Sequence, residues 1–185
     1  VPLNSDGDWL ADYYELLVKE YLEKKGFMVT LNVKFLKNKR ESDIDVLAID
    51  PKKDSVIVGE VKDAQLSEKQ IDHENSDFND KNLKNKVKEI TGHDNFSKVI
   101  YCWSVQDSVK KDAPSKYKIE IIEFWEIINY LIGKVQPEIQ KNKWEYETAY
   151  PNTMLIQMLL DYEYLKSDKG KTKVDLKKPM ADSSK

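Results

Sequence analysis

One cysteine, Cys102, excludes an internal disulfide, and two histidines cannot complete a zinc site around it. A reducing, cytoplasmic setting is the expectation that follows. Arginine is nearly absent too: Arg40 stands alone among 30 basic residues, so bidentate arginine reading of guanine is not available as a general strategy. Lysine suits backbone or shape recognition better. No apolar run approaches the ~20 residues of a membrane helix, and no basic, apolar, small-residue signal opens the chain. Membrane partners are therefore not expected. A net charge of -3 excludes a polycation that binds nucleic acid through its overall field, and any such binding must come from a local lysine face.

What is present is a globular composition, 40% hydrophobic and 34% charged, in a 185-residue chain long enough for one domain with a core. The stretch with most chemistry runs from Ser42 to Lys62, S-D-I-D-V-L-A-I-D-P-K-K-D-S-V-I-V-G-E-V-K. It predicts a β-hairpin, with strands over Asp43–Ile49 and Val56–Asp63 and a turn through Asp50 to Asp54. Side chains two apart share a strand face, so Glu60 projects with Lys62 and Asp43 with Asp45. A Val/Ile-rich hairpin that carries acids and a lysine on one face bears a burial penalty for them. Metal chemistry would explain that cost.

These residues resemble the PD-(D/E)xK nuclease superfamily, the fold of restriction endonucleases. Asp45 stands where the family has its first acid, 15 positions ahead of Glu60, and Glu60-Val61-Lys62 matches the E-x-K half. The flavour of D-I-D-V-L-A and G-E-V-K is closest to archaeal Holliday-junction resolvases and the nuclease domains of type IV restriction enzymes. The resemblance covers about residues 8–105, and no proline precedes Asp45. It implies an α/β fold with a mixed central β-sheet flanked by helices, and a metal-dependent endonuclease acting on DNA, with RNA left open. By the same resemblance Asp45, Glu60 and the Val61 carbonyl hold Mg²⁺ or Mn²⁺. Glu15, on the first helix, reaches the metal directly or through water. Lys62 orients or deprotonates the attacking water, its pKa lowered by the cation, and Asp43 supports the ligands from behind. Such hard oxygen donors suit these cations.

In chain order, residues 8–25 predict a helix with a Leu10, Tyr13, Tyr14, Leu17, Tyr21 stripe, ended by Gly26, and Glu15 lies at the stripe's edge. Residues 27–36 predict a strand that feeds the basic turn holding Lys39 and Arg40, which either touches a phosphate or is solvated. From Asp63 to Asp80 the pattern weakens to a loop or poorly buried helix, and His73 reads as a surface residue. Residues 81–90 predict a helix with Leu83, Val87 and Ile90 inward and Lys81, Lys84 and Lys88 on another face, a phosphate track or a solvated one.

Two strands follow, over 98–105 and 116–124, then a short helix over 125–132. Residues 133–151 read as irregular, 152–165 as a helix, and 166–185 as a disordered tail outside a single domain over 1–165. Junction resolution would call for a symmetric dimer, and the apolar last helix is the surface offered for one. Three readings remain open. They are a backbone- or structure-directed DNA endonuclease, a catalytically silent nuclease-fold binding or structural subunit, and an unrelated α/β interaction domain.

Overall fold

The computed structural model describes residues 9–139 and 152, 153 and 155, the side chains of 9–12 and 135–139 excepted. The chain divides into two compact units, Val1–Phe124 and Trp125–Lys185. Residues 140–151 of the irregular segment expected over 133–151, most of the expected helix over 152–165 and the tail over 166–185 lie outside the described residues.

In order, the elements are α1 (Trp9–Lys24), β1 (Met28–Lys37), β2 (Arg40–Asp50), β3 (Ser55–Leu66), α2 (Glu68–Phe78), α3 (Lys81–Thr91), β4 (Ser97–Val105), α4 (Asp107–Lys116), β5 (Ile119–Glu123) and α5 (Phe124–Ile139). The five strands form one sheet in the order β1-β2-β3-β4-β5. The first three are an antiparallel meander, while β3-β4 and β4-β5 are parallel. This is a mixed α/β sheet with flanking helices, the restriction-endonuclease-like arrangement expected.

Tight turns explain the meander. Asn38 and Lys39 both have positive φ, as the two-residue type I′ connection between β1 and β2 requires. Between β2 and β3 the Asp50 carboxylate accepts the Lys52 and Lys53 amides and closes the turn.

Parallel connections are right-handed, which puts α2, α3 and α4 on one face of the sheet. Ile71, Phe78, Leu83, Val87 and Ala113 of those helices accordingly share one core with Val58, Ile100, Cys102 and Ile121. Cys102 is fully buried there, as its packing role predicts. The alternate residues Val46, Ala48, Gly59, Val99 and Tyr101 are buried on the opposite face, where α1 lies over β1 to β3. Leu17, Val18, Tyr21 and Leu22 are its buried row. Tyr14 stacks on Phe124 with ring centroids 4.6 Å apart.

Gly59 is fitted to that layer. A Cβ there would stand 2.8 Å from Tyr101 Cε2 and 3.3 Å from Val46 Cβ, and Tyr101 is fully buried. Gly59→Ala is expected to cost about 2 kcal/mol by overpacking, read as a lower denaturant midpoint at unchanged slope. An unchanged midpoint would show that the Tyr101 layer yields freely.

One open alternative is decided and three expectations change. Of the loop or poorly buried helix expected over 63–80, the helix is found: β3 runs on to Leu66, and α2 starts at a capping box in which Ser67 and Gln70 bond each other's backbone. Helix α4 was not expected, because only Val109 and Ala113 mark its inner side and Pro114 lies within it. Ile90, expected inward, is 44% exposed, since Gly92 ends α3 with φ 79° and the last turn lies at the rim. Helix α5 passes Gly133 and Pro137 to end at Ile139 rather than Ile132.

Candidate active site

The site forms where the sheet forks. Pairing between β2 and β3 stops at Val46 opposite Gly59, while β3 continues along β4 through Lys62. Asp45 and Glu60 are the next residues on their strands and oppose each other in the same register. The Asp45 carboxylate then accepts the Val61 N–H at 2.7 Å, a strand amide that β2 has stopped pairing. On the other flank, Leu31↔Val46 and Val33↔Ile44 pair around Asp45, and Asn32 between them has φ 54°. Strand alternation breaks here, for Ile44 and Leu47 both enter the same core.

The fork opens into a cavity of about 220 Å³. Asp43, Asp45, Glu60, Glu74 and Asp77 line it with Lys62, Ser42 and His73, against Phe35 and Leu83. Five carboxyl groups line it with one lysine, and two of them, Asp43 and Asp77, pair with Lys34 and Lys37. Lys62 Nζ lies 3.2 Å from Glu60 Oε2 and 3.3 Å from Glu74 Oε1.

Burial is the main force on these groups. It drives the Glu60 carboxyl up to about 8, helped by the Asp45 and Glu74 charges and opposed by Lys62. Asp45 is also raised by burial, against the pull of the Val61 amide and Lys62. The two carboxyls contact each other and titrate as a pair. Burial works to lower Lys62, yet Glu60, Glu74 and Asp45 together outweigh it and hold the ammonium above its ordinary pKa.

Asp45, Glu60 and Lys62 thus share one cavity, and Val61 joins through its N–H. Asp43 lines the same space and takes a 2.9 Å bond from Lys34. Glu15 is placed differently. It is buried on α1, accepts Asn32 Nδ2 at 2.8 Å, and is not among the residues lining the cavity. Asn32 stands between Glu15 and the strand position of Asp45, because its left-handed turn of backbone occupies the break in β1.

The basic candidates separate. Lys39 and Arg40 are exposed at the β1-β2 tip, and Arg40 lines an open groove of about 510 Å³ with Lys37, Asn38, Glu41 and Ser42. Ser42 also lines the carboxylate cavity, so the two spaces adjoin. On α3, Lys88 is paired with Asp94 at 2.8 Å, Lys84 donates to Asn79 at 3.4 Å, and Lys81 is exposed in the first turn.

Glu74 is the site residue that sequence reasoning missed. It fills the inward row of α2 between Ile71 and Phe78, at spacings of three and four. The signal was the Ser67-x-x-Gln70 capping box, which marks a helix start and so puts Glu74 on the buried side. His73, expected at the surface, is 70% exposed on its side chain and lies at the cavity rim, 4.0 Å from Asp77.

No family model matches this sequence, and no curated protein matches it. Among solved structures, the chain is similar to AF1548, a protein of unknown function, at 13% identity and TM-score 0.49, covering 85% of this chain and 100% of that one. It is similar to a repair endonuclease from Pyrococcus abyssi at 15% identity and TM-score 0.41, over 66% of this chain and 49% of the other. The protein VC1899 from Vibrio cholerae matches at 12% identity and TM-score 0.43, over 89% of this chain and 35% of that protein. No helix among the described residues is long and apolar enough to cross a membrane.

The donor set can be tested against a divalent cation directly. Among the described residues no three His, Cys, Asp or Glu side chains are gathered as a ready-made metal cage. Mg²⁺ does not need one: it keeps several waters and binds through one or two carboxylates plus substrate phosphate. Asp45 and Glu60 fit that pattern, since they are two adjacent hard-oxygen donors and a cation would offset the Asp45 charge that bears on Glu60.

Proposed function

We propose that this chain is a metal-dependent endonuclease that hydrolyses phosphodiester bonds in DNA, directed by backbone or structure rather than by base sequence. The observation that carries the reading is the meeting of Asp45, Glu60 and Lys62 at the fork between β2 and β3, inside one cavity lined mainly by carboxyl groups. A structural hairpin has no use for two adjacent carboxyls that burial drives up.

In this reading Asp45 and Glu60 would hold Mg²⁺ or Mn²⁺. The cation would supply Lewis-acid stabilisation of the phosphoryl charge. Lys62, held beside Glu60 and Glu74, would donate hydrogen bonds to the phosphoryl oxygens and offset developing negative charge. Asp45 is held to the Val61 amide, so its carboxylate is oriented before substrate arrives. Arg40 and Lys39, at the end of the groove adjoining the cavity, would meet the strand's phosphates. Lys81 and Lys84 would add weaker contacts, and Lys88 least, because Asp94 already neutralises it.

The test is cleavage of linear duplex, single strand, flap, four-way junction and single-stranded RNA with Mg²⁺, Mn²⁺ or EDTA. Cation-dependent cutting of DNA without a fixed sequence is the expected result. Cutting that persists in EDTA, or none on any substrate, would overturn the proposal. A chain that binds the panel without cutting it would be a nuclease-fold binding subunit instead.

A further inference from the structure

We infer that Glu74 is a positioning residue for Lys62, the acceptor that keeps the ammonium in the cavity when Glu60 is committed to a cation. The inference rests on the nuclease reading of this site and adds to it a residue outside the Asp-Glu-x-Lys set.

Three observations carry it. Glu74 is 7% exposed and takes a place in α2 where its neighbours Ile71 and Phe78 are apolar core. A carboxylate there needs a partner, and its ion pair is with Lys62 at 3.3 Å. Lys62 in turn is shared between Glu74 and Glu60 at nearly equal distances, 3.3 and 3.2 Å. A cation and the ammonium therefore compete for Glu60. With Glu74 present, Lys62 gives up one acceptor and keeps the other; without it, Lys62 must either retain Glu60 or leave the cavity.

Helix α2 is also anchored on both sides, as a positioning element should be. Asp77 is paired with Lys37 of the β1-β2 hairpin. Asp72 accepts the Tyr117 hydroxyl and Glu68 pairs with Lys116, both at 2.5 Å, beside the C-terminus of α4. Ser67 and Gln70 fix its first turn. Glu74 is thus held by a helix whose start, outer side and inner side are all fixed, while Lys62 projects from a strand.

The test is a double-mutant cycle on cation affinity, measured by calorimetric Mn²⁺ titration of the full chain without nucleic acid. The four proteins are wild type, Glu74→Gln, Lys62→Met and the double variant. Glu74→Gln is expected to weaken Mn²⁺ by about tenfold, and the same change in the Lys62→Met background by about twofold or less. Equal losses in both backgrounds would overturn the inference and make Glu74 a ligand in its own right. No loss in either would overturn it as well. Wild type that takes up no Mn²⁺ either alone or with a non-hydrolysable DNA duplex present would sink the nuclease reading itself, an outcome distinct from uptake without coupling.

If Lys62→Met does not fold, the ¹⁵N signal of the Lys62 ammonium decides the question in single variants. It is expected to be protected from exchange in wild type, broadened in Glu74→Gln and restored in Glu74→Asp. A signal unchanged in Glu74→Gln would contradict the role.

Discussion

Glu60→Gln is expected to make the protein more stable while removing its activity. Burial and the Asp45 charge push Glu60 up to about 8, so near neutral pH the folded state holds a proton that a free glutamate has lost. The sign follows from the direction of that shift. The protonated carboxyl contributes stability that is complete below the ordinary value of 4.5 and is lost as pH rises through about 8. In EDTA, wild type should therefore grow less stable from pH 5 to pH 8, on the scale set by those two pKa values.

Glutamine keeps the shape and hydrogen-bonding capacity of the neutral acid but cannot ionise. It is expected to gain about 2 kcal/mol near pH 7, a rise in melting temperature of about 4–8 °C for a chain of this size. The gain should shrink toward pH 5. Cleavage should fall by about 10³-fold or more, because an amide replaces a carboxylate in the proposed cation site. Differential scanning calorimetry across pH, with a cleavage assay on the same samples, checks both halves. A less stable variant, or one with full activity, contradicts the account.

Lys62→Met should do the opposite to stability. It leaves Asp45, Glu60 and Glu74 facing one cavity without the ammonium that lies against Glu60 and Glu74. Breaking a buried ion pair from one side costs about 3–5 kcal/mol, enough to lower the melting temperature by about 10 °C. The loss should be greatest at pH 8 and ease as pH falls, since protonation of the carboxyls removes the repulsion. Cleavage should be lost as well. The two variants thus share a catalytic phenotype and differ in the sign of their stability change, a pattern that general misfolding does not produce. Thermal melts of both at pH 5.5 and pH 8 read it directly.

The legible part of this site was the part written in strand periodicity. Glu60 and Lys62 share a strand face by alternation, and the hairpin register that ends at Val46 opposite Gly59 brings Asp45 beside them. The buried runs of β3 and β4 were equally plain, because strands covered on both faces have little room for polar residues. Helix α2 could not be told from a loop for a related reason. One of its inward positions is Glu74, so the apolar stripe that would have announced a helix is interrupted by the residue that serves the site. Helix α4 was hidden because Val109 and Ala113 are too few to show a period.

Placing Glu15 required knowing what lies between α1 and the fork. Asn32, in a left-handed conformation that sequence alternation does not anticipate, donates to its carboxylate. The protonation of Lys62 was not legible either, because it depends on Glu74 from an element whose type the sequence left undecided. The lysine face of α3 was visible as a pattern, but only the fold shows Asp94 neutralising Lys88.

The central claim is that the fork between β2 and β3 is a phosphodiesterase centre. Its most direct measurement is cleavage of one end-labelled four-way junction and one linear duplex by wild type and Glu60→Gln, each with Mg²⁺ and then with excess EDTA. The account predicts cutting by wild type in Mg²⁺, none in EDTA, and none by a Glu60→Gln protein whose melting curve shows it folded. Equal cutting by wild type and the folded variant would contradict it.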